Sequence, residues 1–173
     1  MNRFQVRKVA VLGAGVMGAQ IAAHLVNVRV PVVLFDLPEN KAPTLPASRG
    51  SLPPEGAGSA LGRPGAGTGP KNGIVTRAIE GLKKLRPSPL GVAEDAALIQ
   101  PANYEEDMAQ LKDCDLIIEA IAERMDWKLD LYQKVAPFIA PHSIVASNTS
   151  GLSITKLAEA LPESIKPRFC GIH

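Results

Sequence analysis

The stretch KVAVLGAGVMG, residues 8–18, decides the fold of this chain. Its first half is a short, β-branched apolar run that stops at Gly13, a pattern typical of a buried parallel strand. From Val16 to about Leu25, apolar residues and alanines recur at helical spacing. A second apolar run, PVVLFD, follows at residues 31–36. Strand, helix and strand in such close succession predict a βαβ unit.

The turn between the first strand and the helix has the pattern Gly-x-Gly-x-x-Gly. In this context Gly13 permits the tight turn, Gly15 lets the backbone approach a pyrophosphate, and Gly18 lets the helix pack close to the strand. Val16 and Met17 open the helix, where free N–H groups and the helix dipole favour an anion. The pattern therefore predicts a dinucleotide-binding turn, whereas its alternative is a glycine turn that only packs a helix.

An acidic residue stands where such a site needs one. Asp36 ends the second strand, 18 residues beyond Gly18, at the place where a carboxylate accepts hydrogen bonds from the ribose hydroxyls of an adenosine. A carboxylate there would repel a 2′-phosphate, so the sequence predicts NAD rather than NADP as the cofactor.

The rest of the chain alternates between strand and helix patterns. Strands are predicted near residues 97–99 and over 115–121, 143–146 and 168–172, and helices over 73–85, 104–113, 127–139 and 154–161. Asn103, Asp126 and Ser153 are the predicted caps of the last three helices. The alternation predicts an α/β fold, a Rossmann-type doubly wound and mainly parallel sheet with helices on both faces, in one domain over residues 1–173. Residues 39–70, rich in Pro, Gly, Ala and Ser, are predicted to be a disordered insertion.

Composition narrows the classes of protein. The net charge of +2, with scattered basic residues, argues against a nucleic-acid partner. No apolar stretch is long enough to span a bilayer, so no membrane is expected. Cys114 and Cys170 have no ligand-like spacing, so we expect no metal site and interpret both as reduced residues in or near the core. Two lone cysteines suit the cytoplasm.

Polar residues follow the later strands, and the ends of parallel strands meet at one edge of a sheet, where ligands bind. Glu123 and Lys128 follow one strand, SNTS at residues 147–150 follows the next, and His173 follows the last. Each has an ordinary alternative: the 147–150 residues as turn and cap residues, Glu123 and Lys128 as a solvated pair, and His173 as a disordered end.

Four segments, GAGVMG, IEAIAER, SNTSGLSI and RFCGIH, resemble the N-terminal NAD-binding domain of L-3-hydroxyacyl-CoA dehydrogenases, and the resemblance covers nearly the whole chain outside residues 39–70. It implies reversible oxidation of an L-3-hydroxyacyl-CoA to the 3-ketoacyl-CoA. His173 matches the general base and Ser150 a serine that hydrogen-bonds the substrate oxygen. Glu123 and Lys128 match positions that contact the nicotinamide half of NAD. Asn148 is expected to help shape the loop that carries Ser150 and to belong to the cofactor site.

The resemblance also bears on what surrounds the chain. Family members follow the histidine with two aromatic residues, Asn and Pro, place a glutamate partner beyond it, and add a helical domain that completes the acyl cleft and the dimer interface. We therefore expect a fragment that ends at His173 and binds NAD with little or no turnover. For the parent enzyme we expect a homo-oligomer, with fusion to a crotonase-type hydratase left open.

Two other enzyme classes share the glycine turn. Dehydrogenases of the β-hydroxyacid or 6-phosphogluconate type use a lysine in a later helical domain, and IEAIAER together with His173 argues against them. Short-chain dehydrogenases need Tyr-x-x-x-Lys, which neither Tyr104 nor Tyr132 begins. A non-catalytic module that binds NAD stays open as an alternative from a different class.

Overall fold

The computed structural model describes residues 4–39 and 71–173. Their six strands form one parallel sheet in the order β3-β2-β1-β4-β5-β6. The strands are β1 Val9–Leu12, β2 Val32–Asp36, β3 Ile99–Asn103, β4 Leu116–Glu119, β5 Ile144–Ser147 and β6 Phe169–Gly171. The predicted α/β fold with a doubly wound parallel sheet is confirmed. The predicted disordered insertion lies, apart from Glu39, outside the described residues.

The strand β1 lies at the centre, between β2 and β4, with Val9 paired to Val32 on one side and to Leu116 on the other. All four of its residues are buried. Because side chains alternate across a strand, Val9 and Val11 belong to the core on one face, and Ala10 and Leu12 to the core on the opposite face. A near-continuous apolar run is what a strand covered on both faces needs.

Among the described residues, four α-helices cover the sheet: α1 Val16–Asn27, α2 Gly73–Leu82, α3 Met125–Val135 and α4 Ile154–Glu159. Buried side chains of α1 and α2 pack in the core that contains Val9, and those of α3 pack on the other face. The predicted cap of α4 is confirmed, since Ser153 Oγ accepts a hydrogen bond from the backbone N–H of Lys156 at 3.3 Å.

The helix predicted over residues 104–113 is wrong in its first part. A turn follows β3, and only Met108–Asp113 is helical, as a 3₁₀ helix. Asn103 Oδ1 accepts from the backbone N–H groups of Glu105 and Glu106 at 2.9 and 3.0 Å. These side-chain bonds stabilise a turn in place of the first turn of an α-helix.

Three other boundaries differ from the prediction. The cap of α3 is Arg124, and Asp126 lies in the first turn, where Arg124 pairs with it at 2.6 Å. The helix α2 ends at Leu82, short of the predicted Leu85. The third strand, predicted only near residues 97–99, runs from Ile99 to Asn103.

The two cysteines have different surroundings. Cys114 is buried, and burial raises the pKa of its thiol to about 11. Cys170 is exposed, so its interpretation as a core or near-core residue is wrong. It lies in β6, which pairs with β5 alone among the described strands.

No helix in the described part is both long and apolar enough to cross a membrane. Within residues 4–39 and 71–173, no three His, Cys, Asp or Glu side chains are grouped as metal ligands.

Candidate functional site

The glycine turn joins β1 to α1 at the carboxyl edge of the sheet. Gly13 has φ of +110°, and a Cβ there would lie 2.8 Å from the carbonyl oxygen of Ala120. A Cβ on Gly18 would overlap the carbonyl oxygen of Gly13. At Gly15, by contrast, a Cβ would meet only open space. The turn and the close packing thus require glycine at two positions, and the middle position leaves room for a ligand beside the backbone.

The amino end of α1 faces this open space. Val16 and Met17 are 75% and 55% exposed although both are apolar. The first N–H groups of any α-helix have no acceptor within the helix, and the helix dipole adds partial positive charge there. The amino end of this 12-residue helix can therefore hold an anionic group.

Asp36 lies at the carboxyl end of β2, next to the turn. Its Oδ2 accepts from the backbone N–H of Ala14 and its Oδ1 from the backbone N–H of Leu37, both at 2.7 Å. These two bonds fix the carboxylate, and each oxygen keeps lone-pair capacity for a further donor. Asp36 is thus oriented to accept hydroxyl donors from a ligand.

Two cavities adjoin at the segment Ala120–Ala122, which lines both of them. The first, of about 450 Å³, is bordered by Gly13, Gly15 and Asp36, and by Trp127 of α3. The second, of about 560 Å³, has the lining residues Met17, Ala120–Glu123, Asn148, Ser150 and His173. Together they form a cleft along the ends of the strands that extends from Asp36 to His173.

At the far end of this cleft, Ser150 and His173 face each other. The Oγ of Ser150 lies 3.5 Å from Nε2 of His173. The backbone before His173 is tied to β5, because Ile172 N–H donates to Ser147 O at 3.0 Å and Asn148 Nδ2 donates to Ile172 O at 3.3 Å. Asn148 therefore helps to hold the histidine next to the serine.

Glu123 fixes the loop that carries Ser150. Its carboxylate accepts from the Thr149 hydroxyl and, at 2.7 Å, from the backbone N–H of Ser150. These hydrogen bonds, that of Thr149 first, lower the pKa of Glu123 below its usual range. An ionised glutamate thus connects the end of β4 to the loop after β5.

A third carboxylate of the site is fully buried. Glu119, the last residue of β4, is 0% exposed. It accepts from Lys128 Nζ at 2.5 Å, Ser147 Oγ at 2.6 Å, Ile121 N–H at 2.8 Å and Tyr132 OH at 2.9 Å. It is the most densely hydrogen-bonded side chain of the site.

Sequence comparison identifies the family of this chain. The family model of the NAD-binding domain of 3-hydroxyacyl-CoA dehydrogenase matches residues 8–49 and 72–173. The chain belongs to this family. It is 36% identical over 168 residues to a Bacillus subtilis protein named "Probable 3-hydroxyacyl-CoA dehydrogenase", covering 97% of this chain and 20% of that protein. With the fatty acid oxidation complex subunit alpha of Acinetobacter baumannii, identity is 32% over 173 residues, covering 97% of this chain and 19% of the relative.

A solved structure of a related enzyme supports the same family. The 3-hydroxybutyryl-CoA dehydrogenase of Escherichia coli K12 matches 98% of this chain and 29% of its own length, with a TM-score of 0.66 and 26% identity. The chain thus spans about a fifth of the two curated relatives and under a third of this solved structure. As a 3-hydroxyacyl-CoA dehydrogenase NAD-binding domain, it has NAD as its cofactor, which the glycine pattern and Asp36 predicted.

The residues present fit that cofactor. The open space at Gly15 and the helix amino end suit a pyrophosphate, and the anchored carboxylate of Asp36 suits ribose hydroxyls. The glycine turn, Asp36 and the second cavity lie along one continuous cleft, as an extended dinucleotide requires.

The predicted site residues divide into two groups. Gly13, Gly15 and Asp36 line one cavity, and the adjoining cavity is lined by Met17, Glu123, Asn148, Ser150 and His173. Lys128 lines neither cavity, because it is 1% exposed and donates to Glu119 and to the carbonyl oxygen of Ile121. The alternative of a solvated Glu123–Lys128 pair is therefore wrong, since the ion pair of Lys128 is with buried Glu119.

Glu119 is the site residue that the sequence analysis missed. It stands inside the apolar run LIIEAI, where its charge is out of place. Lys128 and Tyr132 are four residues apart on α3 and so lie on one face of that helix. A carboxylate in a buried strand, followed by a helix with a lysine and a tyrosine at that spacing, is a signal that could have revealed the buried network.

Proposed function

We propose that this chain is the NAD-binding part of an enzyme that reversibly oxidises an L-3-hydroxyacyl-CoA to the 3-ketoacyl-CoA. The observation that carries the proposal is the meeting of Ser150 and His173 in a cavity that adjoins the one at Asp36. A dehydrogenase of this kind needs a proton acceptor and a cofactor site within one cleft.

The two cavities of the cleft would hold the two halves of the cofactor. Asp36 would accept hydrogen bonds from the adenosine ribose, and its negative charge would disfavour a 2′-phosphate, so NAD is preferred over NADP. The pyrophosphate would lie at Gly15 beside Val16 and Met17. The nicotinamide half would extend into the cavity lined by Glu123 and Asn148.

Two side chains, His173 and Ser150, act on the hydroxyl group of the substrate. Bound NAD supplies the acceptor for the hydride that leaves C3 of the substrate. His173 takes the proton of the C3 hydroxyl as general base, so the O–H and C3–H bonds break while the carbonyl bond forms. Ser150 donates to or accepts from the substrate oxygen and so fixes its position beside Nε2.

The wider assignment rests on the relatives. The substrate class, an acyl-CoA, is supported by the names of the B. subtilis and E. coli proteins. The name of the A. baumannii relative supports a parent enzyme with further domains or within a complex. We propose a homo-oligomeric parent in the cytoplasm, where free thiols such as Cys114 and Cys170 persist.

Calorimetric titration tests the cofactor half of the proposal. We expect NAD to bind this chain, NADP to bind far more weakly, and Asp36→Ala to lose the preference. Absence of NAD binding would overturn the proposal.

An assay tests the catalytic half. The chain, extended with the C-terminal segments of its relatives, should form NADH from L-3-hydroxybutyryl-CoA. His173→Asn should lower kcat by about 10²- to 10⁴-fold, the usual contribution of a general base, with NAD affinity retained. An unchanged kcat in this variant would remove His173 from the mechanism.

A further inference from the structure

The cavity of about 450 Å³ beside the glycine turn has walls that suit a flat, apolar ring. Its aromatic and aliphatic lining side chains include Leu37, Tyr104, Trp127 and Leu131. The Tyr104 ring is fixed by stacking on Phe35, with ring centroids 5.9 Å apart. Such walls favour a purine through contact with its apolar faces. Contacts of this kind cannot distinguish two ligands that carry the same adenine.

Both ligands of the proposed enzyme carry an adenine. One half of NAD is an adenosine diphosphate, and the CoA of the substrate contains the same unit with an additional phosphate on its ribose 3′ oxygen. An acyl-CoA whose adenosine entered this cavity would displace the cofactor, whereas hydride transfer needs both ligands in the cleft together. Discrimination between the two adenosines therefore has to come from a contact with the ribose.

Asp36 provides such a contact, because its carboxylate lines the cavity and is held in place at both oxygens. Oδ2 accepts from the Ala14 N–H and Oδ1 from the Leu37 N–H, both at 2.7 Å. The two ribose hydroxyls are on neighbouring carbons, so a carboxylate that accepts from one of them lies close to the other. A phosphate on either oxygen would bring like charges together and remove the hydrogen that the hydroxyl donates.

We propose that Asp36 excludes the 3′-phosphorylated adenosine of CoA from the adenosine site of the cofactor, so that an acyl-CoA does not compete with NAD. This inference rests on the proposed function, which supplies the acyl-CoA substrate. It goes beyond the preference for NAD over NADP, because the ligand that Asp36 rejects is the substrate of the same enzyme. One anchored carboxylate thus keeps two adenosine-containing ligands from occupying the same cavity.

Competition with NAD tests this inference, with AMP and adenosine 3′,5′-bisphosphate as the probes. These two nucleotides differ only in the 3′-phosphate. For the unmodified chain, we expect the bisphosphate to bind at least about a hundredfold more weakly than AMP, because its 3′-phosphate meets the Asp36 carboxylate. CoA should behave like the bisphosphate. ADP, an isomer of the bisphosphate with free ribose hydroxyls, controls for total charge and should bind at least as well as AMP.

Two readouts report binding at this cavity alone. Trp127 is the only tryptophan of the chain and lines the cavity, so its fluorescence should change when an adenine enters. Calorimetric displacement of bound NAD is the second readout. A nucleotide or CoA that binds elsewhere on the chain affects neither of them, so such binding is not mistaken for entry into the adenosine site.

Asp36→Ala should change the two affinities in opposite directions. AMP loses an acceptor for its ribose and should weaken about tenfold, whereas the bisphosphate loses a repulsion and should tighten at least about tenfold. Asp36→Asn removes the charge but keeps one acceptor oxygen, and it should give the same gain for the bisphosphate if Asp36→Ala fails to fold. The matched control is Asp130, an exposed aspartate that lines the same cavity. Asp130→Ala should change the ratio of the two affinities by less than about threefold, because an exposed charge is screened by solvent.

Three results would overturn the inference. If the bisphosphate displaces NAD from the unmodified chain as well as AMP does, the site does not reject a 3′-phosphate. If the folded Asp36 variants reject the bisphosphate as strongly as the unmodified chain does, the shape of the cavity excludes it and Asp36 does not. If Asp130→Ala admits the bisphosphate equally well, the general negative charge of the cavity is the cause. Failure of the proposed function gives a different result, because the unmodified chain would then bind neither NAD nor AMP.

Discussion

At the scale of single residues, two buried tyrosines differ in what their hydroxyl groups contact. The Tyr132 hydroxyl donates to Glu119 at 2.9 Å, whereas the Tyr104 hydroxyl is buried with no hydrogen-bond partner among the described residues. Burial raises the pKa of both phenols well above their usual range, so both are neutral. The two residues therefore form a natural pair for measuring a buried hydroxyl with and without a partner.

We predict different effects on the free energy of unfolding when each hydroxyl is removed. Tyr132→Phe should lower the free energy of unfolding by about 2 kcal/mol, because a hydrogen bond to a charged group is lost. Tyr104→Phe should leave it unchanged or raise it by up to about 1 kcal/mol, since no bond is lost and an unsatisfied polar group is removed. Urea unfolding of both variants without cofactor measures the difference. A loss above about 1 kcal/mol for Tyr104→Phe would contradict the prediction and indicate a bound water.

A pH prediction follows from Glu123. Thr149 and Ser150 hold its pKa below the usual value of 4.5. A carboxyl group with a lowered folded-state pKa contributes stability above its unfolded pKa, and this contribution is lost as the pH falls through the folded value. Thr149→Val removes the hydroxyl donor that lowers the pKa of Glu123 most, so the variant should lose less stability than the unmodified chain as the pH falls below about 4.5. Unfolding from pH 7 to pH 3 measures it, and Glu123→Gln should abolish the same part of the acid dependence. If Thr149→Val loses as much stability between pH 7 and pH 3 as the unmodified chain does, the Thr149 hydroxyl does not lower the pKa of Glu123.

The site could be predicted from sequence where position in the strand pattern determines the role. Asp36 and His173 follow apolar runs directly, so their place at the carboxyl edge could be inferred. The surroundings of Lys128 could not, because its contacts are the carboxylate of Glu119 and the carbonyl oxygen of Ile121, which both lie outside α3. Sequence spacing gives the edge of a sheet but not which of its polar groups point inward.

At the scale of elements, the glycine turn predicts two different responses to the same substitution. Gly18→Ala would force a methyl group onto the Gly13 carbonyl oxygen, so it should lower the free energy of unfolding by about 2 kcal/mol or more. Gly15→Ala meets open space, and its φ of −67° suits alanine. It should change stability by less than about 1 kcal/mol and still weaken NAD. Thermal unfolding and calorimetry separate the two effects, and equal loss of stability in both would contradict the packing argument.

The success of the element predictions follows the strength of each pattern. The strands β1, β2, β4 and β5 begin and end within two residues of their predicted bounds, because their apolar runs are almost wholly buried. The strand β6 agrees to within a residue at each end, although Cys170 and Gly171 are exposed. In β3, Gln100 and Pro101 interrupt the run, and this strand tolerates proline because it pairs only with β2 among the described strands. The first part of the helix predicted after β3 was wrong, because Asn103 Oδ1 accepts hydrogen bonds from the backbone N–H groups of Glu105 and Glu106 and stabilises a turn there.

At the scale of the whole molecule, the strand order places the site. The chain crosses from β3 back to β4 on the other side of β1, so the connections after β1 and β4 diverge and leave a crevice between them. Ala120 and Gly13, which follow these two strands, line that crevice. The sequence predicted the alternation of elements and hence this topology, whereas the depth of the cleft depends on side chains such as Trp127 and Ile121.

Binding at this crevice should stabilise the molecule as one unit. A ligand that binds only the folded state adds about 2.7 kcal/mol at 100 times its Kd. For a chain of this length, that amounts to an increase in Tm of roughly 5–10 °C. NAD should produce this shift, the same concentration of NADP should not, and Asp36→Ala should remove the difference. Equal shifts from both cofactors would show that Asp36 does not select between them.

The pairing of β1 with β4 also has a kinetic consequence. Arg7 and Asp115, which flank these strands and bond to each other at 2.8 Å, are 108 residues apart in the chain. Folding must close this long loop before the centre of the sheet exists, and chains dominated by distant contacts fold slowly. Until β4 docks, β1 presents an unpaired apolar edge, which is the kind of surface that associates with other chains. The same junction that forms the cleft is thus the step at which a nascent chain is most exposed to aggregation.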